Sequence, residues 1–449
     1  MDTKTTPGDK KALTAKFSAW PVLCFAAALA LLTHGLYWSF DHEHSSVDTP
    51  TYLVPAGNLA HGLGFVNDLH QPELRRTPGY PLVLALFVPS RLDYLIVVQH
   101  LLCVFVVAAV ALAAWRISRS LVVSLVAAAI LAFDLATIRV ANLLMTEAVA
   151  MTLVALTAWC VYRGITCEAG RTWWIAAAGL LGGCGALVRP VGSLYFLALA
   201  ACLILALKRR SLRPVLLFTV SFLLLPVLWA ARNYTETGYP GISTIGAEDI
   251  LYYRAAGALA IQQPGSYLEN ARKMNAAFID QTCADLEGIY QRDCASVTEV
   301  QQASYATHKG AAIILSHPWS YLRSVALSLA YIVFGGGAEA VSKITSVSPR
   351  IAERLVLLIT LPQALLAIAG CWYWYRRDRN LFYVLALTVA YFFAVSAGAE
   401  AYSRFRVPVM PMYALLAAGG AALLLQAFRR RTPFTGHPAQ SATSNTGTQ

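Results

Sequence analysis

Asp48-Thr-Pro-Thr-Tyr52 and Arg75-Arg-Thr-Pro-Gly-Tyr-Pro81 open and close a polar loop that hangs between two apolar segments, about 20–40 and about 92–115. An acid, two adjacent arginines and a rigid Thr-Pro-Gly-Tyr-Pro turn just outside a first apolar segment are what a reaction site at a bilayer surface requires. The prolines fix φ and the glycine tolerates close approach, so the loop returns to the membrane along one path.

The composition around this loop sets the class. The chain of 449 residues is 57% hydrophobic and 13% charged, where soluble domains carry about 25% charged residues. Apolar runs of roughly 20 residues recur, each able to cross ~30 Å of hydrocarbon. The sequence therefore predicts an all-α polytopic membrane protein, and its net charge of +11 reads first as a topology signal. With no basic face interleaved with stacking aromatics, nucleic acid is not an expected partner.

Basic residues orient the spans. Lys4, Lys10, Lys11 and Lys16 precede the first apolar run; Arg116 and Arg119, Arg163 and Arg171, Lys208–Arg210 with Arg213, Arg376–Arg379 and Arg429–Arg431 follow later ones. Assigning every cluster to the cytoplasm gives about ten spans, within a range of 8–12, with both termini inside. In this solution Pro78–Pro89 is too short to cross and Pro318–Gly335 lies along the outer surface. The first run is longer than a cleavable signal segment and lacks a small-residue cleavage site before Asp41, so it is expected to stay as a span.

The expected organisation is a cytoplasmic N-terminus (1–19), an N-terminal transmembrane module with its outer loop 41–91 (20–231), an outer-face loop with interfacial helices (232–350), C-terminal transmembrane helices (351–431) and a disordered cytoplasmic tail (432–449). Seven of the nine cysteines fall in spans or short inner turns, where thiols act as small apolar fillers. Cys283 and Cys294 share the second outer loop and are candidates for a disulfide in an oxidising compartment. There is no CxxC pair to suggest zinc, and no P-loop to suggest an ATP-driven pump.

Several polar residues stand out individually. Asp48 suits either a helix N-cap before Thr-Pro or a general base in a dry site. Asp41, His42, Glu43 and His44 suit either a solvated interfacial segment, the favoured reading, or a metal site. Glu147, preceded by Thr146, sits in an apolar run, where an acid is expensive and implies function. Asp134 and Arg139 read as a structural pair with each other or with Glu147. Arg189, and Arg232 with Asn233, end spans on the outer side, either lining an anion cavity or snorkelling to the interface.

Taken together, Asp48 with Tyr52 four residues on, the Arg75-Arg76 turn, Thr146-Glu147, and Arg404-Phe405-Arg406 followed by Pro408 and Pro411 resemble the GT-C superfamily of glycosyltransferases. The bacterial branch related to dolichyl-phosphate-mannose protein mannosyltransferases and the aminoarabinose-to-lipid-A transferase (family 39-like) is the nearer likeness. The resemblance implies a GT-C-like bundle with outer juxtamembrane helices and a small periplasmic loop region, in the bacterial inner membrane with the site facing the periplasm. It implies transfer of a hexose or pentose from a polyprenyl-phosphate donor to lipid A, lipopolysaccharide, another glycan or a protein, by inverting displacement. Asp48 would activate or align the acceptor. Tyr52, Arg75, Arg76, Tyr80, Thr146, Glu147, Arg189, Arg404 and Arg406 would bind substrate, with an arginine at the phosphate. Some relatives use a divalent metal, but Arg76 replaces an acid of their ligand set, which leaves metal dependence open and names no metal ligand here. The competing class is a flippase for the polyprenyl-linked sugar, which predicts charges near mid-membrane and paired halves.

Overall fold

In the computed structural model, residues 19–398 and 403–431 are described; the N-terminal lysines, Glu400–Tyr402 and the tail expected to be disordered lie outside them. Every regular element among the described residues is helical, apart from one isolated β-bridge, Val66–Pro72.

The first candidate span is α1 (Trp20–Phe40), and the loop that follows, expected to face outward, carries α2 (Thr49–Ala60) and α3 (Gly79–Ala85). With 12 and 7 residues these two are too short to cross. Next come α4 (Leu92–Ser118), the bent pair α5 (Leu121–Ala132) and α6 (Leu135–Ala141), then α7 (Glu147–Thr166), α8 (Arg171–Val188), α9 (Tyr195–Leu207) and α10 (Leu212–Thr237). The second outer loop holds α11 (Ile245–Glu248), a π-helical turn Asp249–Ala255, α12 (Ala256–Ala260), α13 (Tyr267–Tyr290) and α14 (Glu299–Ser316). The chain closes with α15 (Pro318–Phe334), α16 (Ala338–Thr345), α17 (Pro349–Arg377), α18 (Arg379–Ser396), a 3-10 segment Ser403–Val409 and α19 (Met410–Arg431).

Eight helices are long and apolar enough to cross a membrane, nine when the α5–α6 pair, bent by 52°, counts as one span. The expected count of about ten also takes in α8, which packs between α7 and α10 but is not among these candidate spans. The bend between α5 and α6 has a local cause: Asp134 interrupts the helix and caps α6, accepting from the Thr137 backbone amide at 2.9 Å.

Lipid tails are as apolar as leucine, so close backbone contact and polar links hold such helices together. The contact of α17 with α19 shows this. A Cβ on Gly370 would stand 1.7 Å from the Leu416 carbonyl oxygen, and one on Gly420 2.0 Å from that of Leu366. The Trp374 indole donates to the Leu415 carbonyl at 2.7 Å across the same seam. This packing buries the first two-thirds of α19 and fixes the 3-10 segment that precedes it.

In the second outer loop, Cys283 in the second half of α13 is disulfide-bonded to Cys294, with Cα atoms 5.2 Å apart.

Candidate active site

Asp48 stands at the N-cap position of α2, yet its side chain makes no capping hydrogen bond. Its carboxylate is instead held from both sides. Oδ1 accepts from Arg76 Nη2 at 3.0 Å, and Oδ2 accepts from Arg404 Nη1 at 2.9 Å. Burial pushes the carboxyl upward, but the Arg404 and Arg76 guanidiniums outweigh it and hold Asp48 below the usual carboxylate range.

Arg76 is itself immobilised. Its Nε donates to Thr51 Oγ1 at 2.8 Å, its Nη1 to the Tyr52 hydroxyl at 3.0 Å, and its guanidinium lies 4.3 Å from the Tyr52 ring centre. Tyr52 meets Tyr80 edge-to-face at 5.4 Å, and the Tyr80 hydroxyl donates to Gln99 Oε1 at 2.8 Å. Gln99 in turn donates to the Ala141 and Leu143 carbonyls, at 3.1 and 2.8 Å, in the stretch before α7. The chain of contacts thus ties the two motifs of the first loop to the membrane core.

The Thr-Pro-Gly-Tyr-Pro turn needs its glycine for a steric reason. A Cβ on Gly79 would stand 2.6 Å from the Leu187 carbonyl oxygen, at the end of α8. That contact sets Arg189, the residue ending α8, beside a second constellation. Glu147, fully buried at the first turn of α7, lies 2.7 Å from Arg189 Nη1, which also donates to Thr146 Oγ1 at 2.9 Å. An acid at a helix N-terminus and a base at a helix C-terminus each complement the local dipole. Phe405 joins the two constellations: the guanidiniums of Arg189 and Arg404 each lie 5.3 Å from its ring centre.

Asp48, Tyr52, Arg76 and Arg404 therefore meet in one cluster, with Thr146, Glu147 and Arg189 beside it through Phe405. Tyr80 supports from behind. Arg75 turns the other way, pairing with Glu248 of the second outer loop at 2.9 Å. Arg406 is spent on structure: it pairs with Asp134 at 2.6 Å and donates to the Val333 and Gly335 carbonyls at 3.0 and 2.9 Å. The expected pairing of Asp134 with Arg139 or Glu147 gives way to this one, because the 3-10 segment brings Arg406 into the bend below Asp134. Arg232 donates to the Phe65 carbonyl at 3.0 Å and pins α10 to the first loop.

The Asp41–His44 patch is also structural. Asp41 accepts from the Tyr37 hydroxyl at 2.7 Å, Glu43 pairs with Lys343 at 2.5 Å, and His44 Nδ1 meets the Asn142 carbonyl at 2.9 Å. Among the described residues no group of three or more His, Cys, Asp or Glu side chains could hold a metal ion. At Asp48, guanidiniums occupy the positions around both carboxylate oxygens that a cation would take. The donor set does not fit a divalent metal.

Thr51, Gln99, Phe405 and Asp249 complete the surroundings, and none of them is among the residues expected to act on substrate. Gln99, a buried amide inside an apolar span, carried a usable signal; Asp249, in a polar outer loop, carried none. Deeper along the bundle, between α4, α7, α18 and α19, lies an apolar cavity of about 260 Å³ lined by Phe105, Ala109, Trp159, Leu385 and Met412 and reaching Arg116 and Tyr162 toward the ends of α4 and α7 remote from Glu147.

Comparison with solved structures decides the architecture. The chain superposes on the Archaeoglobus fulgidus oligosaccharyltransferase tethered to an acceptor peptide containing the NVT sequon, with a TM-score of 0.53 at 13% identity over 93% of its length. The fold is GT-C-like. A second structure, the A. fulgidus oligosaccharyltransferase AglB with an inhibitory peptide and a dolichol-phosphate, gives a TM-score of 0.50 at 13% identity over 95% of this chain. The GT-C-like chain spans about half the length of these proteins, 50% and 53%. No protein-family profile matches the sequence, and no curated protein matches it.

Proposed function

We propose that this protein is an integral membrane glycosyltransferase that moves a sugar from a polyprenyl-phosphate carrier to an acceptor at the outer face of a bacterial inner membrane. The observation that carries the reading is the Asp48 carboxylate gripped by Arg76 and Arg404, where the first outer loop and the 3-10 segment before the last span converge. Three arginines, Arg76, Arg189 and Arg404, gather there, and guanidiniums suit the phosphate that a carrier loses as the sugar departs. The likeness to an oligosaccharyltransferase fold solved with an acceptor peptide and, separately, with a dolichol-phosphate supports a lipid-linked donor.

In this reading the sugar's anomeric carbon sits between the acceptor oxygen and the carrier phosphate, and transfer inverts it in one displacement. Asp48 keeps Arg76 and Arg404 aimed at the phosphate and aligns the acceptor. The carrier's tail runs among the spans, between which the structure holds an apolar cavity. The charges collect at helix ends on one face rather than near mid-membrane, which favours a transferase over a flippase. The acceptor is a glycan, lipid A, lipopolysaccharide or a protein. Lipid and glycoprotein mass spectrometry of a deletion strain tests the proposal: a lost glycan, restored by the wild-type chain, is expected, and an unaltered glycan inventory contradicts it.

A further inference from the structure

The start of the second outer loop docks directly on the first. The Thr244 amide donates to the Leu74 carbonyl at 2.9 Å, Ser243 Oγ donates to the Arg75 carbonyl at 2.5 Å, and Glu248 pairs with Arg75 at 2.9 Å. The next residue is Asp249, the first of the π-helical turn Asp249–Ala255. Such turns are rare and recur at functional sites.

Asp249 is half-buried there, and among the described residues its carboxylate has neither a hydrogen-bond nor an ion-pair partner. The charges that act on it are Arg254 of its own turn, Glu248 before it, and Arg189 and Arg76 from the two constellations. Arg254 is held by the Tyr321 hydroxyl and the Val395 carbonyl. On α13 and α14, which pack against the turn, the neighbouring ionic groups are engaged elsewhere: Asp285 pairs with Lys309, and Glu299 accepts from Thr244. Asp249 is therefore an acid within electrostatic reach of both site arginines with no hydrogen bond or ion pair to either, whereas Asp48 is gripped twice.

Resting on the glycosyl-transfer reading, we propose that Asp249 takes the proton of the acceptor hydroxyl while Asp48 stays ionised between its arginines. In the step, the acceptor oxygen bonds to the anomeric carbon and the bond from that carbon to the carrier phosphate oxygen breaks. The phosphate leaves with the electron pair, and the hydroxyl proton passes to an Asp249 carboxylate oxygen. The chemistry of the two acids agrees. Burial pushes Asp249 up to about 6 despite Arg254, close to the working pH where a general base is most effective, whereas the arginines hold Asp48 low and make it a poor base.

The test uses full-length protein reconstituted into membranes of a deletion strain, which carry the native donor and acceptor, with transferred glycan read by mass spectrometry from pH 5 to 8. Wild type should lose rate as pH falls through about 6, as Asp249 gains its proton. Asp249→Asn should lose at least ~100-fold and its remaining rate should lack that acid limb, while Asp249→Glu should recover part of both. Thermal stabilisation by added undecaprenyl phosphate should be equal in all three, which separates proton transfer from misfolding or donor loss. An Asn variant within threefold of wild type, or one that keeps the acid limb, overturns the assignment and leaves the transferase reading standing. A wild-type protein that restores no glycan overturns both.

Discussion

Arg404 reaches Asp48 across 356 positions of sequence and closes on it at 2.9 Å. The two residues lie on opposite ends of the chain, and their meeting joins the first outer loop to the last span. A contact of this kind forms only after most of the bundle has packed, so the cluster reports the whole fold.

The first prediction concerns Arg76. Its guanidinium reaches Thr51, Tyr52 and Asp48 at once, a planar three-way contact that an ammonium cannot reproduce. Arg76→Lys should therefore behave nearly as badly as Arg76→Ala, each raising the donor KM by about tenfold or more, equivalent to ~1.4 kcal/mol. A Lys variant with wild-type donor kinetics would reduce Arg76 to a headgroup anchor.

The second concerns the buried pair beside it. Glu147→Ala leaves the Arg189 guanidinium, 13% exposed, without its acid, and removing one partner of a buried pair costs about 3–5 kcal/mol. The variant should lose thermal stability in detergent as well as transfer. Glu147→Gln, which keeps the shape, should lose less. An unchanged melting temperature for Glu147→Ala would show that the pair is solvated.

Much of this was legible in the sequence, and for identifiable reasons. Apolar runs of membrane length gave the helical class, Glu147 stood out because a charge inside an apolar helix is costly, and Asp48, Arg76 and Arg404 stood out through the motifs that resemble GT-C enzymes. Partners were harder to read. Nothing local tells that Arg406 belongs to Asp134, or Arg75 to Glu248, since each pair is set by long-range packing. That the Asp48 side chain does not cap α2 also needed coordinates, because a cap and a reactive acid share one sequence pattern. Asp249 was invisible for the opposite reason: in a polar loop an acid costs nothing and draws no notice.

The third prediction is steric. Gly79→Ala would force a methyl to 2.6 Å from the Leu187 carbonyl oxygen, closer than real contacts allow. The turn and the end of α8 must then part, moving Arg76 and Arg189 relative to each other. Transfer should fall by an order of magnitude or more while Gly57→Ala, whose added carbon would meet nothing within 4 Å, should be nearly silent. Equal activity of the two variants would remove the turn from the account.

A fourth follows from the disulfide. Cys283 and Cys294 are bonded, closing a short loop worth about 2–3 kcal/mol by chain entropy. In intact cells an impermeant maleimide should label neither before reduction and both after it. Labelling of either without reductant contradicts the bridge, and labelling only from the cytoplasmic side contradicts the orientation of the outer loops.

A fifth concerns metal. With Arg76 and Arg404 filling the space around both Asp48 oxygens, transfer in membranes washed with a chelator should stay within twofold of the untreated rate. A loss of tenfold or more, restored by a divalent cation, would contradict the guanidinium clamp.

The most direct test of the central claim is glycan transfer by Asp48→Asn at matched membrane levels. The amide keeps the shape of the carboxylate and removes the charge that holds Arg76 and Arg404 together. Because those arginines keep Asp48 ionised well below neutral pH, the wild-type clamp is intact across the assay range and only the substitution opens it. The account predicts a loss of at least ~100-fold with normal insertion into the membrane. Transfer within threefold of wild type would contradict it.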